Sequence, residues 1–163
     1  TDCNKKIVEK AIDGIAVFDV QPRRDSINQY LAQQNDYYVP SIVCMFIEDI
    51  REALESTGAK MVLKQKRDVD DTVHKQYKKY IQSIDDDIVI VDPCISAIRI
   101  INVCQALISL PFTSTAIYGK ESGKPSIYYD PTSKIQKNDR AAHGVTVISG
   151  KNELQQWVTQ TIN

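Results

Sequence analysis

The chain has 163 residues, a formal net charge of −1 and 42% hydrophobic residues, and this length suffices for one domain with a substantial core. The balanced charge argues against nucleic acid or an anionic membrane as a partner. No apolar run approaches the roughly 20 residues of a membrane-spanning helix, so we expect no transmembrane segment. We expect a single domain over residues 1–163. Because the first residue is Thr1 rather than Met, we interpret this domain as one part of a two-domain protein.

Four cysteines occur without a C-x-x-C pair, and three of them stand in apolar runs. Free thiols in apolar surroundings behave as small hydrophobic residues. The pattern indicates reduced core cysteines and a cytoplasmic protein, because structural disulfides are typical of oxidising compartments. A reactive thiol is the alternative for Cys94, which follows a predicted strand.

The first half of the chain alternates predicted helices with predicted strands. Pro40 suits the first turn of a helix, and apolar residues at helical spacing follow it. Pro22 cannot continue a central strand and therefore ends the first one. The predicted elements are, in order, a helix from Asn4 to Ile12 ended by Asp13-Gly14, a strand from Ile15 to Val20, a weakly marked helix from Asp25 to Asn35, a helix from Pro40 to Thr57, and a strand from Met61 to Leu63.

The second half repeats the same alternation and contains the longest polar loop. Apolar runs rich in β-branched residues, such as IVIV, are typical of strands covered on both faces. The first predicted elements are, in order, a helix capped by Asp70 or Asp71 and continuing to Ile84, a strand from Ile88 to Val91, a helix starting near Ser96 and a strand from Ala106 to Leu110. They are followed by a helix starting near Thr113, a strand from Pro125 to Tyr129, a functional or mobile loop from Asp130 to Gly144, a strand from Val145 to Ile148, and a final helix opened by residues 149–152.

Six short strands alternating with helices predict an α/β fold. The architecture is a three-layer, Rossmann-like, doubly wound and mainly parallel six-stranded sheet. Ligands of such sheets bind beyond the carboxyl ends of the strands, so the functional residues are sought there.

Two groups of residues at predicted strand ends favour binding of a phosphate. Thr113, Ser114 and Thr115 open a helix, where unpaired amides and the helix dipole attract anions. Lys64, Lys66 and Arg67 follow the second strand and bring positive charge. The alternatives are that one hydroxyl only caps the helix and that the three cations only form a solvated edge.

A third group is polar and suits a sugar or a nucleobase. Asp92-Pro93 and Ser96 follow one strand and Asp130 follows another, although Asp92 has the alternative role of capping the next helix. No G-x-G-x-x-G or P-loop motif occurs. His74 and His143 lack the companions of a metal site or nucleophilic dyad, so no metal site is predicted and no catalytic residue is assigned.

Five sequence motifs resemble the C-terminal half of bacterial surface-polysaccharide glycosyltransferases with the two-domain GT-B fold. These motifs are FDVQPRR at 18–24, LKQKRD at 63–68, VDPCISA at 91–97, SLPFTSTA at 109–116 and GKPSIYYDP at 123–131. The resemblance implies a domain that binds a nucleotide-sugar donor, with no other cofactor. It implies that a missing N-terminal domain binds the glycan acceptor and supplies any catalytic base, so that this half alone would be inactive. It also implies a cytoplasmic enzyme of lipopolysaccharide or capsule synthesis. Such an enzyme either is free in the cytoplasm or binds peripherally at the inner face of the membrane.

Within that group, the chain is similar to β-Kdo transferases and polysialyltransferases, which implies a CMP-sugar donor. Ser114-Thr115 stands where those enzymes have a hydroxyl pair, and Asp92-Pro93 stands in place of their His-Pro pair. Two alternatives remain open. One is a non-catalytic nucleotide- or sugar-binding or regulatory module, because the chain has no evident general base. The other is a sugar-nucleotide epimerase, whose two-domain fold is related.

Overall fold

The computed structural model describes residues 11–24, 37, 39–68 and 71–162. These residues form one six-stranded sheet with helices on both faces. The elements are, in chain order, β1 (Ile12–Phe18), α1 (Pro40–Glu55), β2 (Lys60–Lys64), α2 (Lys75–Ile84), β3 (Val89–Val91), α3 (Ala97–Val103), β4 (Cys104–Ser109), α4 (Ser114–Glu121), β5 (Ser126–Asp130), a short 3-10 helix (Arg140–Ala142), β6 (Thr146–Ser149) and α5 (Lys151–Ile162).

The strands follow the order β3-β2-β1-β4-β5-β6, and every neighbouring pair is parallel. This is the doubly wound order in which the chain winds outward from β1, returns to the centre and winds outward again from β4. The predicted fold class is therefore confirmed. The winding reverses between β1 and β4, and this reversal opens a crevice at the carboxyl edge of the sheet.

Apolar side chains that alternate along the central strands hold the three layers together. In β1, Ile15 and Val17 belong to the core cluster shared with α1, α2 and α5. Ala16 and Phe18 belong to the cluster on the opposite face, which is covered by α3. Because both sets are almost fully buried, β1 has the continuous apolar sequence of a strand covered on both faces.

The run IVIV does not form such a strand. It contributes only β3, which pairs with β2 alone at the edge of the sheet, and Ile90 is 36% exposed. An edge strand packs on fewer neighbours than a central one, so an apolar sequence alone does not reveal its position.

The first strand starts three residues earlier and ends two residues earlier than predicted. Ile12, Asp13 and Gly14 belong to β1 and do not end a helix. Gly14 pairs with Lys60, and a Cβ atom there would lie 2.4 Å from the Lys60 carbonyl oxygen, so glycine permits the close approach of β2. The remainder of the helix predicted from Asn4, residues 4–10, lies outside the described residues. The helix predicted from residue 25 to residue 35 also lies outside them.

His74, rather than an aspartate, caps α2. Its Nδ1 atom accepts a hydrogen bond from the Gln76 amide at 3.2 Å. Asp71 lies four residues before the helix with φ +52° and pairs instead with Lys78 at 2.5 Å. Asp70 lies outside the described residues. The prediction of an aspartate cap failed because the helix starts later than its apolar stripe suggested.

The apolar faces of the remaining helices agree with their predicted patterns. The helix predicted at Pro40 is α1, which has proline in its first turn and buries Phe46 and Ile50. The final helix, α5, buries Leu154 and Val158. Among the described helices, none combines the length and apolar character needed to cross a lipid bilayer.

Candidate functional site

A cleft of about 530 Å³ opens at the carboxyl edge of the sheet, where the winding reverses between β1 and β4. Its walls comprise residues 18–20 at the end of β1, residues 64–66 at the end of β2, residues 111–115 before and within α4, Tyr37 and Ala97. The cleft thus contains five of the predicted phosphate-binding residues, because parallel strands present their carboxyl ends at a common edge. These five residues are Lys64, Lys66, Thr113, Ser114 and Thr115.

The amino end of α4 forms one wall of this cleft, and no described side chain caps it. The Thr113 hydroxyl donates to the Leu110 carbonyl at 3.0 Å instead of accepting from an amide of the first turn. The Thr115 hydroxyl lies 3.3 Å from that of Thr113 and 3.2 Å from that of Ser109. The capping alternative for these hydroxyls is therefore not realised, and the first amides of α4 remain available to an anion.

Two lysines stand on the opposite side of the cleft. Lys64 is partly buried and donates to the carbonyls of Gln65, at 2.6 Å, and of Pro93, at 3.3 Å. Burial lowers the pKa of Lys64 despite the nearby Asp92 and Cys94. Lys66 is exposed and interacts electrostatically with Asp19. Both lysines thus line the same cleft as the open end of α4.

Five other predicted residues do not line the cleft, and four of them come from the segments that follow β2 and β3. The guanidinium of Arg67 donates to the Cys94 sulfur at 3.0 Å, which places Arg67 beside the loop after β3. Asp92 accepts from the Cys94 amide at 2.7 Å, while Ser96 caps α3 by accepting from the Arg99 amide at 3.4 Å. The suggestion that Asp92 caps this helix is therefore wrong, and Cys94 is exposed rather than part of the core. Pro93 lines a neighbouring depression beside α2, which shares Gln65 and Lys66 with the cleft.

Asp130 is fully buried and organises the loop that follows β5. Its carboxylate accepts hydrogen bonds from the amides of Thr132, Lys134 and Ile135 at 2.8–2.9 Å and from the Thr132 hydroxyl at 2.6 Å. Burial alone would raise the pKa of Asp130, but these hydrogen bonds outweigh it and hold the pKa below the usual range. Tyr37, which lines the cleft, also donates to Asp130 at 3.3 Å. Asp130 therefore contacts the cleft wall through Tyr37.

Asp19 is a cleft residue that the sequence analysis did not identify. It directly follows β1, which ends at Phe18, and only 7% of its surface is exposed. The Tyr77 hydroxyl donates to Asp19, and Gln65 donates to Tyr77 at 2.8 Å. Burial raises the pKa of Asp19 to about 6, against the opposing effects of Tyr77 and Lys66. Ending the predicted strand two residues earlier would have placed Asp19 among the strand-end residues.

Phe112 is the second cleft residue that was not assigned a role. Its backbone has φ +65°, in the left-handed region, and its side chain is 43% exposed. Its ring centroid lies 6.0 Å from that of Tyr128, whose hydroxyl donates to the Thr113 carbonyl at 2.7 Å. The SLPFTSTA motif contained the residue, but no sequence pattern distinguishes an exposed phenylalanine from a buried one.

Among the described residues, no group of three or more histidine, cysteine, aspartate or glutamate side chains could hold a metal ion. The two histidines have structural positions, since His74 caps α2 and His143 adopts φ +49° after the 3-10 helix. The cleft therefore offers backbone amides, hydroxyls, amines and one buried carboxyl group, which together suit an anionic ligand with polar substituents.

Known structures that are similar to this fold include two of one enzyme. One is UDP-GlcNAc 2-epimerase from Methanocaldococcus jannaschii, with a TM-score of 0.55 and 12% identity over 93% of this chain and 39% of that chain. The other is the Methanocaldococcus jannaschii UDP-GlcNAc 2-epimerase in complex with UDP-GlcNAc and UDP, with a TM-score of 0.51 and 11% identity over 94% and 39%. The chain spans about two fifths of their length. At such low identity, the likeness shows a Rossmann-like fold of the GT-B type and not an activity.

None of the curated proteins matches the chain in sequence. A family model described as "Polysaccharide biosynthesis PFTS motif protein" matches residues 3–158. The four letters of that motif occur in this chain as Pro111, Phe112, Thr113 and Ser114, in the segment that forms the cleft wall before and at the start of α4. The chain therefore belongs to the family of polysaccharide biosynthesis PFTS motif proteins.

Proposed function

We propose that this domain binds the nucleotide-sugar donor of a glycosyltransferase that extends a surface polysaccharide, such as lipopolysaccharide or capsule. The observation that carries the proposal is the cleft, in which the uncapped end of α4 lies across from two lysines. Membership of a polysaccharide biosynthesis family supports the proposal. The fold adds further support, since one related structure is a complex with a nucleotide sugar and a nucleotide.

In this proposal the donor phosphate binds at the first turn of α4. The amides there, with the hydroxyls of Ser114 and Thr115, donate to its oxygens. The Thr113 hydroxyl keeps its bond to the Leu110 carbonyl and holds the turn before α4. Lys64 and Lys66 offset the negative charge that develops on the departing nucleotide, so the step needs no metal ion. Arg67 adds positive charge from outside the cleft.

The rest of the donor extends towards the loop between β3 and α3. Asp92, Pro93 and Ser96 lie in this loop, and the neighbouring Ala97 belongs to the cleft wall. These residues contact the nucleoside or the sugar, whereas Asp130 acts through its bond to Tyr37. We propose a CMP-sugar as the donor from the resemblance to β-Kdo transferases. In this proposal the acceptor site and any catalytic base belong to a separate N-terminal domain. The enzyme works in the cytoplasm, either free or bound at the inner face of the membrane.

Ser114→Asp tests the phosphate site because it separates helix stability from anion binding. An acidic residue in the first turn of a helix interacts favourably with its dipole, so the variant should fold at least as stably as the wild type. The same charge would repel a bound phosphate, and we expect at least a tenfold loss of affinity. The control for the added charge is Ser122→Asp, because Ser122 is exposed at the opposite end of α4. An acidic residue there opposes the helix dipole, so the stability of both variants is measured by thermal denaturation.

The measurement is ligand-observed NMR of the chain with CMP, UDP, GDP and ADP. Selective binding of one nucleotide that is lost in Ser114→Asp and kept in Ser122→Asp would support the phosphate site and identify the donor class. Binding that is unaffected by Ser114→Asp would contradict it. No binding of any nucleotide would favour a module that acts through protein contacts.

A sugar-nucleotide epimerase is the second candidate, because both related structures are UDP-GlcNAc 2-epimerases. The two activities differ in their products. A transferase forms a new glycosidic bond to an acceptor and releases the nucleotide. An epimerase of this kind would yield epimerised sugar without an acceptor. NMR of the products made by the complete protein, with and without a glycan acceptor, therefore distinguishes them.

A further inference from the structure

Phe112 combines two features that folding alone does not account for. A left-handed backbone is uncommon for a residue other than glycine and costs free energy wherever a bulky side chain adopts it. Phe112 gains little burial in return, because its side chain is 43% exposed. Glycine would accept the same φ of +65° without strain. The cost of phenylalanine at this position therefore suggests that its ring has a function.

The surroundings fix the Phe112 backbone firmly. The Leu110 amide donates to the Phe18 carbonyl at 3.0 Å, which ties the start of the segment to the end of β1. The Thr113 hydroxyl closes the turn on the Leu110 carbonyl at 3.0 Å, and the Tyr128 hydroxyl holds the Thr113 carbonyl at 2.7 Å. These bonds hold residues 110 and 113, on either side of Phe112, in place.

Tyr128 also positions the ring. The two rings are 6.0 Å apart with an interplanar angle of 53°, and Tyr128 is fully buried behind Phe112. The remaining surface of Phe112 lines the cleft, directly before the first turn of α4. An aromatic ring in such a position presents an apolar surface to any ring attached to a phosphate bound at the helix.

We propose that Phe112 packs against a ring of the bound nucleotide sugar and thereby selects ligands that carry such a ring next to their phosphate. This inference rests on the proposed function, because it assumes a phosphate at the first turn of α4. Both a nucleobase and a sugar ring have apolar faces that pack on an aromatic side chain, and contacts of this kind contribute measurably to affinity. The ring thus adds to the charge-based recognition by Lys64 and Lys66.

Three substitutions of the same residue separate its contribution to binding from its contribution to folding. Phe112→Gly removes the ring and relieves the backbone, Phe112→Ala removes the ring and keeps the unfavourable backbone, and Phe112→Tyr keeps both. We expect affinity to fall about tenfold in the glycine and alanine variants and to stay near the wild-type value in the tyrosine variant. We expect the glycine variant to melt at a higher temperature than the alanine variant. Tyr118→Ala is the control, since Tyr118 is an exposed aromatic residue that does not line the cleft.

The probes are four pairs of ligands that differ only in the sugar: UDP and UDP-GlcNAc, GDP and GDP-mannose, ADP and ADP-glucose, and CMP and CMP-sialic acid. The pair that binds the wild-type chain most tightly is titrated into each variant by calorimetry. A loss seen with both members assigns the ring contact to the nucleoside. A loss seen only with the sugar-bearing member assigns it to the sugar.

The outcomes separate this inference from the function on which it rests. Equal affinities of the wild type and Phe112→Gly would overturn the inference and leave the phosphate site standing. An equal loss in Tyr118→Ala would also overturn it, because the effect would then not belong to the cleft. Failure of the wild type to bind any of the eight ligands would overturn both. Loss in the glycine variant with retention in the tyrosine variant would support it.

Discussion

Replacing Asp130 by asparagine removes the charge that organises the loop after β5. The two carboxylate oxygens accept four hydrogen bonds from the loop itself: Oδ1 from the amide and hydroxyl of Thr132, and Oδ2 from the amides of Lys134 and Ile135. Asparagine has one acceptor oxygen, so its NH₂ group would face at least one backbone amide that also needs an acceptor. The fully buried site gives no access to water as a substitute partner.

The expected destabilisation follows from these bonds. A hydrogen bond to a charged group contributes roughly 1.5–3 kcal/mol, and at least two of the four are lost or opposed. We therefore expect the free energy of unfolding to fall by about 3–5 kcal/mol, a large part of the roughly 5–15 kcal/mol typical of a domain. The assay is urea denaturation monitored by far-UV circular dichroism and by tyrosine fluorescence.

Asp139→Asn is the matched control in the same loop. Asp139 accepts from the Ala141 amide at 2.9 Å, and asparagine retains an oxygen for that bond. We expect a change below about 1 kcal/mol. Because the folded pKa of Asp130 is lowered, its stabilisation exists above the unfolded pKa and disappears as pH falls through the folded pKa. A loss below about 1 kcal/mol in Asp130→Asn, or an unchanged acid limb of the pH profile, would refute the reasoning.

The remaining predictions concern two buried carboxyl groups. Burial raises the pKa of Asp19 to about 6, so its contribution to stability is complete below the unfolded pKa and is lost as pH rises through 6. Lowering the pH from 7.5 to 5 should therefore raise the free energy of unfolding of the wild type by about 1 kcal/mol through this group. Urea titrations at both pH values should show that Asp19→Asn lacks this gain. The control Asp86→Asn, at an exposed position, should keep it. Tyr129→Phe removes the 2.7 Å hydrogen bond from the Tyr129 hydroxyl to the buried Asp49 carboxylate. Asp49 then keeps only its ion pair with Lys151, at 3.3 Å, among these two contacts. We expect a loss of about 1–3 kcal/mol by thermal denaturation, whereas Tyr118→Phe at the surface should have little effect.

The candidate site was predictable where chemistry follows directly from chain order. Lys64, Lys66 and residues 113–115 each lie at or after the end of a strand, and parallel pairing must bring strand ends to one edge. The same rule failed for Asp19, because β1 ends at Phe18 whereas the apolar run continues to Val20 and predicted a later end. It also could not separate Arg67 from the two lysines, since the contact of Arg67 with Cys94 depends on how the loops after β2 and β3 meet.

The sequence by itself determined the fold class, because six apolar runs alternating with amphipathic helices can bury their surfaces on both faces only as a layered α/β sheet. It also determined which segment opens a helix with hydroxyl residues. The tertiary structure alone decided that β3 is an edge strand, that Asp130 is enclosed by its own loop and that Phe112 is exposed on a left-handed backbone. The position of β3 depends on strands distant in sequence, whereas the enclosure of Asp130 and the exposure of Phe112 depend on the backbone path of their own loops. Residue types and spacing did not predict either.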